Sequence, residues 1–205
     1  FLDYRDSGVT GSVDNSHPNS LVQAPREEVV GKIVYLIRRF QPQIVLTFDP
    51  VGGYFHSDHI AIHRATTEAF RLAGDPCRYP EHLDQNLRPF QPQKLYYTAV
   101  SRRLLKIIVA LMPLLGMDPT AFGRNKDVNL KRVAEAEQII TTSLDIRSYL
   151  HTRIKASACY RSQGSGRFLG PRWIQRWFFS KESYTRAVPP VNGEGKMPVE
   201  SDFFE

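Results

Sequence analysis

The chain has 205 residues, 41% apolar and 23% charged, a composition that suits a single domain over residues 1–205 and excludes a disordered polar tract. Its formal net charge of +6 is modest and fits an anionic or sugar-phosphate ligand, while the lack of a long Lys/Arg run or an aromatic-interleaved basic patch argues against nucleic acid. Two cysteines, Cys77 and Cys159, form no Cys-x-x-Cys pair, which argues against a disulfide framework and for a reducing, cytoplasmic setting.

Residues 1–24 are polar and turn-rich, with Asp6-Ser7-Gly8, Gly11-Ser12, Asp14-Asn15 and His17-Pro18-Asn19, and read as a loop. The chain starts at Phe1, and Phe1-Leu2-Asp3-Tyr4 has the character of a protein interior, not of a signal peptide, so further sequence is expected upstream. Pro25 suits the first turn of a helix, and Glu27 and Glu28 suit the positive end of its dipole. Val30, Ile33, Val34, Ile37 and Phe40 recur at helical spacing, predicting a stripe that packs on a sheet until Gln41-Pro42 ends the helix. Ile44 to Phe48 is short, β-branched and nearly all apolar, which predicts a strand covered on both faces. A helix, a tight turn and a buried strand make the repeating unit of a parallel α/β sheet. Asp49-Pro50-Val51-Gly52-Gly53 then breaks the strand at its carboxyl end, the edge where such sheets bind ligands.

Ser57 is expected to cap a second helix over roughly Asp58 to Ala73, stopped by Gly74-Asp75-Pro76. A Pro-rich connector spans 75–93, and Lys94 to Val100 is a second strand. The longest apolar run, Leu104 to Met117, is interrupted by Lys106 and Pro113 and falls short of the roughly 20 residues a membrane span needs. It reads as a buried or lid helix over 104–115, with interfacial membrane contact and the lining of a greasy pocket as other uses. Ile139 to Leu144 is a third strand, Arg147 to Ser162 a third amphipathic helix, and 189–200 a Pro/Gly-rich tail. Three strands are thin for a doubly wound sheet, which again points to strands upstream.

The chemistry concentrates in Tyr54-Phe55-His56-Ser57-Asp58-His59, at the mouth of the first strand and the first turn of the next helix. Catalytic zinc needs neutral imidazole or carboxylate ligands and an open position for water, whose pKa it lowers to about 7. A helix start directs His59 inward towards a metal, which leaves His56 free to act on substrate with Asp58 to orient it. His63, one turn beyond His59, makes a second candidate ligand of the His-x-x-x-His type. The plain alternative is that these histidines only cap a helix and satisfy a loop.

Arg5-Asp6-Ser7-Gly8, the strand Ile44 to Phe48 with Asp49-Pro50, and Gly52-Gly53-Tyr54-Phe55-His56-Ser57-Asp58-His59 resemble, in order and spacing, the LmbE/PIG-L family of zinc-dependent deacetylases. That family includes N-acetylglucosaminyl-phosphatidylinositol de-N-acetylase and the mycothiol-pathway deacetylase. Thr141 to Ile146 and Arg161-Ser162-Gln163 add weaker matches. The resemblance implies a Rossmann-like three-layer α/β sandwich with a mostly parallel sheet, here truncated at its N-terminus. It implies hydrolysis of an N-acyl group, usually acetyl, from a small glucosamine-containing conjugate, with Zn2+ or another divalent metal such as Fe2+ as cofactor. By the same resemblance His59 is the metal ligand, His56 the acid or oxyanion stabiliser, Asp58 its acidic partner, Tyr54 an assistant at the substrate carbonyl and Asp6 a substrate contact. Simpler roles stand beside these: an Asx-turn from Asp6 to Gly8, packing for Tyr54, and a favourable helix-start charge for Asp58.

Two departures matter. The family motif usually flanks its first histidine with Gly and Pro, where this chain has Phe55 and Ser57. The family's Ala-His-Pro-Asp-Asp-Glu type motif, which supplies a second zinc histidine, a zinc aspartate and the general base, is absent; His17-Pro18 leads only into Asn19-Ser20. The expectation is therefore a partial domain, inactive alone, whose remaining ligands lie upstream. A non-catalytic sugar- or lipid-binding relative without the metal site is the rival reading.

Overall fold

In a computed structural model, which describes residues 1–100, 102–123, 126, 128–136, 138–160, 180–191 and 200–204, Pro25 is the N-cap of helix α1 (Arg26–Phe40). Glu27 and Glu28 lie in its first turn, Arg38 and Arg39 in its last, and Gln41 ends it in the left-handed conformation. Val29, Val30, Ile33, Val34 and Ile37 pack with Ala65, Ala69 and Ala73 of the helix that follows the first strand, so the stripe faces a helix instead of the predicted sheet. Phe40, expected in the stripe, is exposed. Arg38 is fully buried and donates to the carbonyls of Ala73, Asp75, Arg78 and Tyr79. One guanidinium thereby organises the irregular connector, because its planar fork carries enough donors to satisfy several carbonyls at once.

Strand β1 (Ile44–Thr47) leads through a kinked turn, α2 (Gly52–Phe55), into α3 (Ser57–Leu72). Strand β2 (Lys94–Ala99) pairs parallel to β1, with Val45 opposite Leu95 and Leu46 opposite Tyr96. Then come α4 (Arg102–Leu111), a 3-10 turn over Met112–Leu115, α5 (Leu130–Glu135), β3 (Thr142–Asp145), α6 (Leu150–Ala158) and β4 (Lys181–Val188). The sheet order is β1-β2-β4-β3, with β4 antiparallel to both neighbours.

The α/β class is as expected, but the parallel character holds only in part. β1, β2 and β3 run one way, and β4, which periodicity does not reveal, runs against them between β2 and β3. Its sequence, Lys-Glu-Ser-Tyr-Thr-Arg-Ala-Val, lacks the apolar run of a covered strand because it is only half-buried. Nor is β1 covered on both faces: Val45 packs with Phe70 of α3 and Leu95, while Leu46 on the opposite face is 46% exposed. Farther along that face Phe203 packs on Tyr96 and Tyr184.

The apolar helix differs most. Ile107, Ile108, Leu111, Leu114 and Leu115 are exposed, and among the described residues of the segment only Met112 is buried, so the segment is not a core helix. The third helix is α6 preceded by a 3-10 turn over Arg147–Tyr149, and Arg161-Ser162-Gln163 and most of the Pro/Gly-rich tail lie outside the described residues.

Candidate active site

Everything in the site hangs on the turn that follows β1. Asp49 is buried, and its carboxylate accepts the Gly53 N–H (2.5 Å) and the Gln138 side-chain N–H (3.2 Å). Gln138 also donates to the Thr98 carbonyl (2.8 Å) and accepts from Val100 N–H (2.9 Å), tying the ends of β1 and β2 together. Gly52 has φ +63, and a Cβ there would stand 2.9 Å from His59 Cβ and from the Ile60 nitrogen. Only glycine lets the turn lie this close to α3.

That approach prepares His59. The Gly52 carbonyl lies 3.1 Å from His59 Nδ1, and a carbonyl only accepts, so Nδ1 carries the proton and Nε2 keeps a free lone pair. The ring stacks on Phe48 at 3.8 Å, and burial, followed by the charge of His56, holds its pKa below the usual histidine value. Both effects outweigh the opposing pull of the Gly52 carbonyl and the Asp58 and Asp6 carboxylates.

His56 is wired the other way. Contrary to expectation it, and not Ser57, caps α3: His56 Nδ1 accepts the Asp58 backbone N–H at 3.3 Å. A neutral ring with Nδ1 as acceptor carries its proton on Nε2. The ring centroids of His56 and His59 are 4.8 Å apart, so one imidazole presents a donor beside another that presents an acceptor. Ser57 Oγ instead meets Thr10 Oγ1 at 3.2 Å.

The other expected residues gather around this pair. Tyr54 lies edge-on to both rings, at 5.6 Å from His56 and 5.1 Å from His59. Asp58 Oδ2 accepts the Ser7 N–H at 2.9 Å, which anchors the Arg5-Asp6-Ser7-Gly8 loop, and Oδ1 is buried without a hydrogen-bond partner among the described residues. Asp6 Oδ1 closes an Asx-turn on Gly8 N–H (2.7 Å), while its charge still reaches His59. His63 stands apart: it is buried, its Nδ1 bonds the Phe48 carbonyl at 2.7 Å, and it clasps the end of β1 to α3. His17 bonds Asn19 N–H in the front loop.

Sequence reading overlooks Phe48, Asp49, Gln138 and Arg132 as members of the site. Asp49 ahead of Pro-Val-Gly-Gly carries an Asx-turn signal. Gln138, 89 positions away from it, carries none. Arg132, on α5, lies 4.0 Å over the ring of Phe55, which adopts φ +68. A cation–π contact of this kind contributes about 0.5–1 kcal/mol, which offsets part of the cost of a left-handed bulky residue.

Among the described residues no group of three or more His, Cys, Asp or Glu side chains converges on a metal position. His59 is prepared as a ligand, with Nδ1–H held by a carbonyl as metal-binding histidines usually have it, but one prepared ligand does not make a catalytic metal site.

A family model described as GlcNAc-PI de-N-acetylase, PIG-L, matches residues 1–70. The chain is 32% identical over 204 residues to a 1D-myo-inositol 2-acetamido-2-deoxy-alpha-D-glucopyranoside deacetylase of Thermobifida fusca, covering 98% of this chain and 68% of that protein. The enzyme of the same name from Streptomyces avermitilis is 30% identical, with 98% and 67% covered, and that from Rhodococcus jostii 32%, with 78% and 51% covered. The alignments thus span about half to two thirds of the relatives' lengths. The conserved protein TT1542 from Thermus thermophilus aligns in structure with a TM-score of 0.48 at 16% identity, covering 85% of this chain and 68% of that one.

Proposed function

Because the chain belongs to the PIG-L family of GlcNAc-PI de-N-acetylases, we propose that it is the part of a deacetylase that removes an N-acetyl group from a small glucosamine-containing conjugate. The observation that carries the reading is that the two neighbouring histidines use Nδ1 in opposite ways, His56 towards a backbone N–H and His59 towards a backbone carbonyl. Amide hydrolysis develops negative charge on the carbonyl oxygen and then needs a proton on the leaving amine. His56 Nε2–H is a donor suited to both tasks, and its use of Nδ1 to cap α3 holds the ring in place. Asp58, seated on Ser7 N–H, keeps the front loop against this helix start and sets a negative charge where His56 gains positive charge. Tyr54 sits against both rings, where it would face the substrate carbonyl, and Asp6 would meet the sugar hydroxyls.

Metal enters this reading as a requirement that residues 1–205 do not meet alone. Zn2+, or another divalent ion such as Fe2+, would take His59 Nε2 as one ligand and others from outside these residues, and would supply Lewis acidity and an activated water. Residues 1–205 in isolation are accordingly inactive in this proposal. Both cysteines are free thiols, which supports a reducing, cytoplasmic setting. Among the described residues no helix is long and apolar enough to cross a membrane.

The test is acetate release from N-acetylglucosaminyl-inositol by the full-length protein, with and without chelator. Chelator-sensitive release that His56→Ala removes is the expected result. Binding of the conjugate without any acetate release would overturn the proposal and favour the non-catalytic sugar-binding relative.

A further inference from the structure

We infer that α4 and the 3-10 turn after it form a docking face for an anionic lipid surface. Ile107, Leu111 and Leu114 follow one another at helical spacing, and Ile108 and Leu115 are exposed on the adjoining face, on either side of the buried Met112. They are 54%, 49%, 81%, 44% and 72% exposed in that order, while Met112 is the residue that turns inward. An apolar ridge of five large side chains on one short element is well beyond the single exposed leucines of an ordinary surface.

The charge pattern selects the occupant. From Val100 to Met117 the only charged residues are Arg102, Arg103 and Lys106, all basic, and Lys106 is exposed. A short apolar ridge with basic residues at its start is the composition of a helix that lies in the plane of a membrane interface. Basic residues beside such a ridge are attracted to anionic headgroups. The element is also too short to span a bilayer, so it can only lie on one.

Position gives the docking a consequence. α4 follows β2 by two residues, and Val100 donates to Gln138, which donates to Asp49 at the floor of the active site. α4 packs on α5, and α5 packs on α2 beside His56. Docking would therefore bring α5 and α2, and with them the site, close to a membrane surface. Only that consequence rests on the deacetylase reading; the docking itself rests on α4.

The experiment is co-sedimentation of the full chain with vesicles of equal parts phosphatidylcholine and phosphatidylglycerol, against vesicles of phosphatidylcholine alone. Partition onto the anionic vesicles is expected to be at least about tenfold stronger and to weaken with salt. Leu114→Asp with Leu115→Asp, at the two most exposed ridge positions, should abolish it without unfolding the protein, and Lys106→Glu should weaken it. Absence of binding to the anionic vesicles, or binding that survives the double substitution, would overturn the inference. So would a dimer in light scattering that the double substitution converts to monomer, because the ridge would then be covered by a second copy. Acetate release measured on water-soluble conjugate is independent of all these outcomes, so loss of docking and loss of deacetylation are separately visible.

Discussion

Two polar clusters in this molecule are built on opposite rules. Around Glu200 every strong group is spent. Its carboxylate accepts from Thr142 Oγ1 (2.6 Å), Tyr96 OH (3.1 Å) and Arg186, with Lys94 Nζ at 3.7 Å. Burial would raise the Glu200 pKa, but those hydrogen bonds and cations outweigh it and hold the carboxyl below its ordinary value of 4.5. Burial and the Glu200 carboxylate push the Tyr96 phenol up to about 12, which keeps it a donor at any physiological pH. Around His56 and His59 the partners satisfy one side of each ring only, and Asp58 Oδ1 has no hydrogen-bond partner among the described residues. A cluster that closes on itself stabilises the chain, whereas one that leaves ring nitrogens and a carboxylate oxygen unpartnered keeps groups available to a ligand.

The contrast predicts a division of effects. His56→Ala should lower acetate release by the full-length enzyme about 10²–10⁴-fold, the range for a lost proton donor. Its cost to stability should stay near the ~1 kcal/mol of a lost helix cap, seen as a melting shift of about 2–4 °C. A rate loss under about tenfold would remove His56 from the chemistry.

Gly52→Ala should cost about 2–3 kcal/mol, from a left-handed φ of +63 and a Cβ forced onto His59 and Ile60. Activity should fall with it, since the Gly52 carbonyl can no longer hold the His59 ring. Thermal denaturation beside kinetics at a permissive temperature would separate the two effects.

Glu200→Gln should cost about 2 kcal/mol at neutral pH, with the rate constant unchanged for the folded fraction. The sign with pH follows from the depressed folded-state pKa. Glu200 contributes fully above the unfolded carboxyl value of 4.5, and the contribution is lost as pH falls through the lower folded value. The gap between wild type and variant in urea denaturation should therefore narrow below pH 4.5 and close as pH falls through the lower folded value. A gap that stays constant down to acid pH would mean that shape and not charge holds the cluster.

Phe55→Gly should be the smallest change, within about 0.5 kcal/mol of zero. Relief of the left-handed bulky residue gains about what the lost Arg132 contact costs. A larger loss would show that the Phe55–Arg132 stack holds the mouth of the site, and Arg132→Ala would then reproduce it.

Much of the site is legible without the fold. The segment from Asp49 to His59 announces a strand end, a glycine turn and a histidine-bearing helix start, and the structure brings Tyr54, His56, Asp58 and His59 together there. The Arg5-Asp6-Ser7-Gly8 loop does meet this helix, through Ser7 N–H on Asp58, although a loop sequence does not say which element it will touch. The cap falls on His56 although serine is the commoner N-cap, because the backbone turns one residue earlier and lets the His56 ring do the same work. Strand β4 is invisible in the sequence because half-buried strands with charged alternation resemble loops by composition.

Local order along the chain settles whatever depends on neighbours a few residues apart: the α1 stripe and its end charges, the glycines of the turn, and the histidine spacing at the start of α3. These follow from helical periodicity and backbone sterics, which act over short range. Folding in three dimensions decides which nitrogen of each histidine carries the proton, that Gln138 braces Asp49, and that the apolar ridge of α4 faces outward. Those properties depend on partners brought together from distant parts of the chain, and burial and hydrogen bonding between such partners leave no period in the sequence that could announce them.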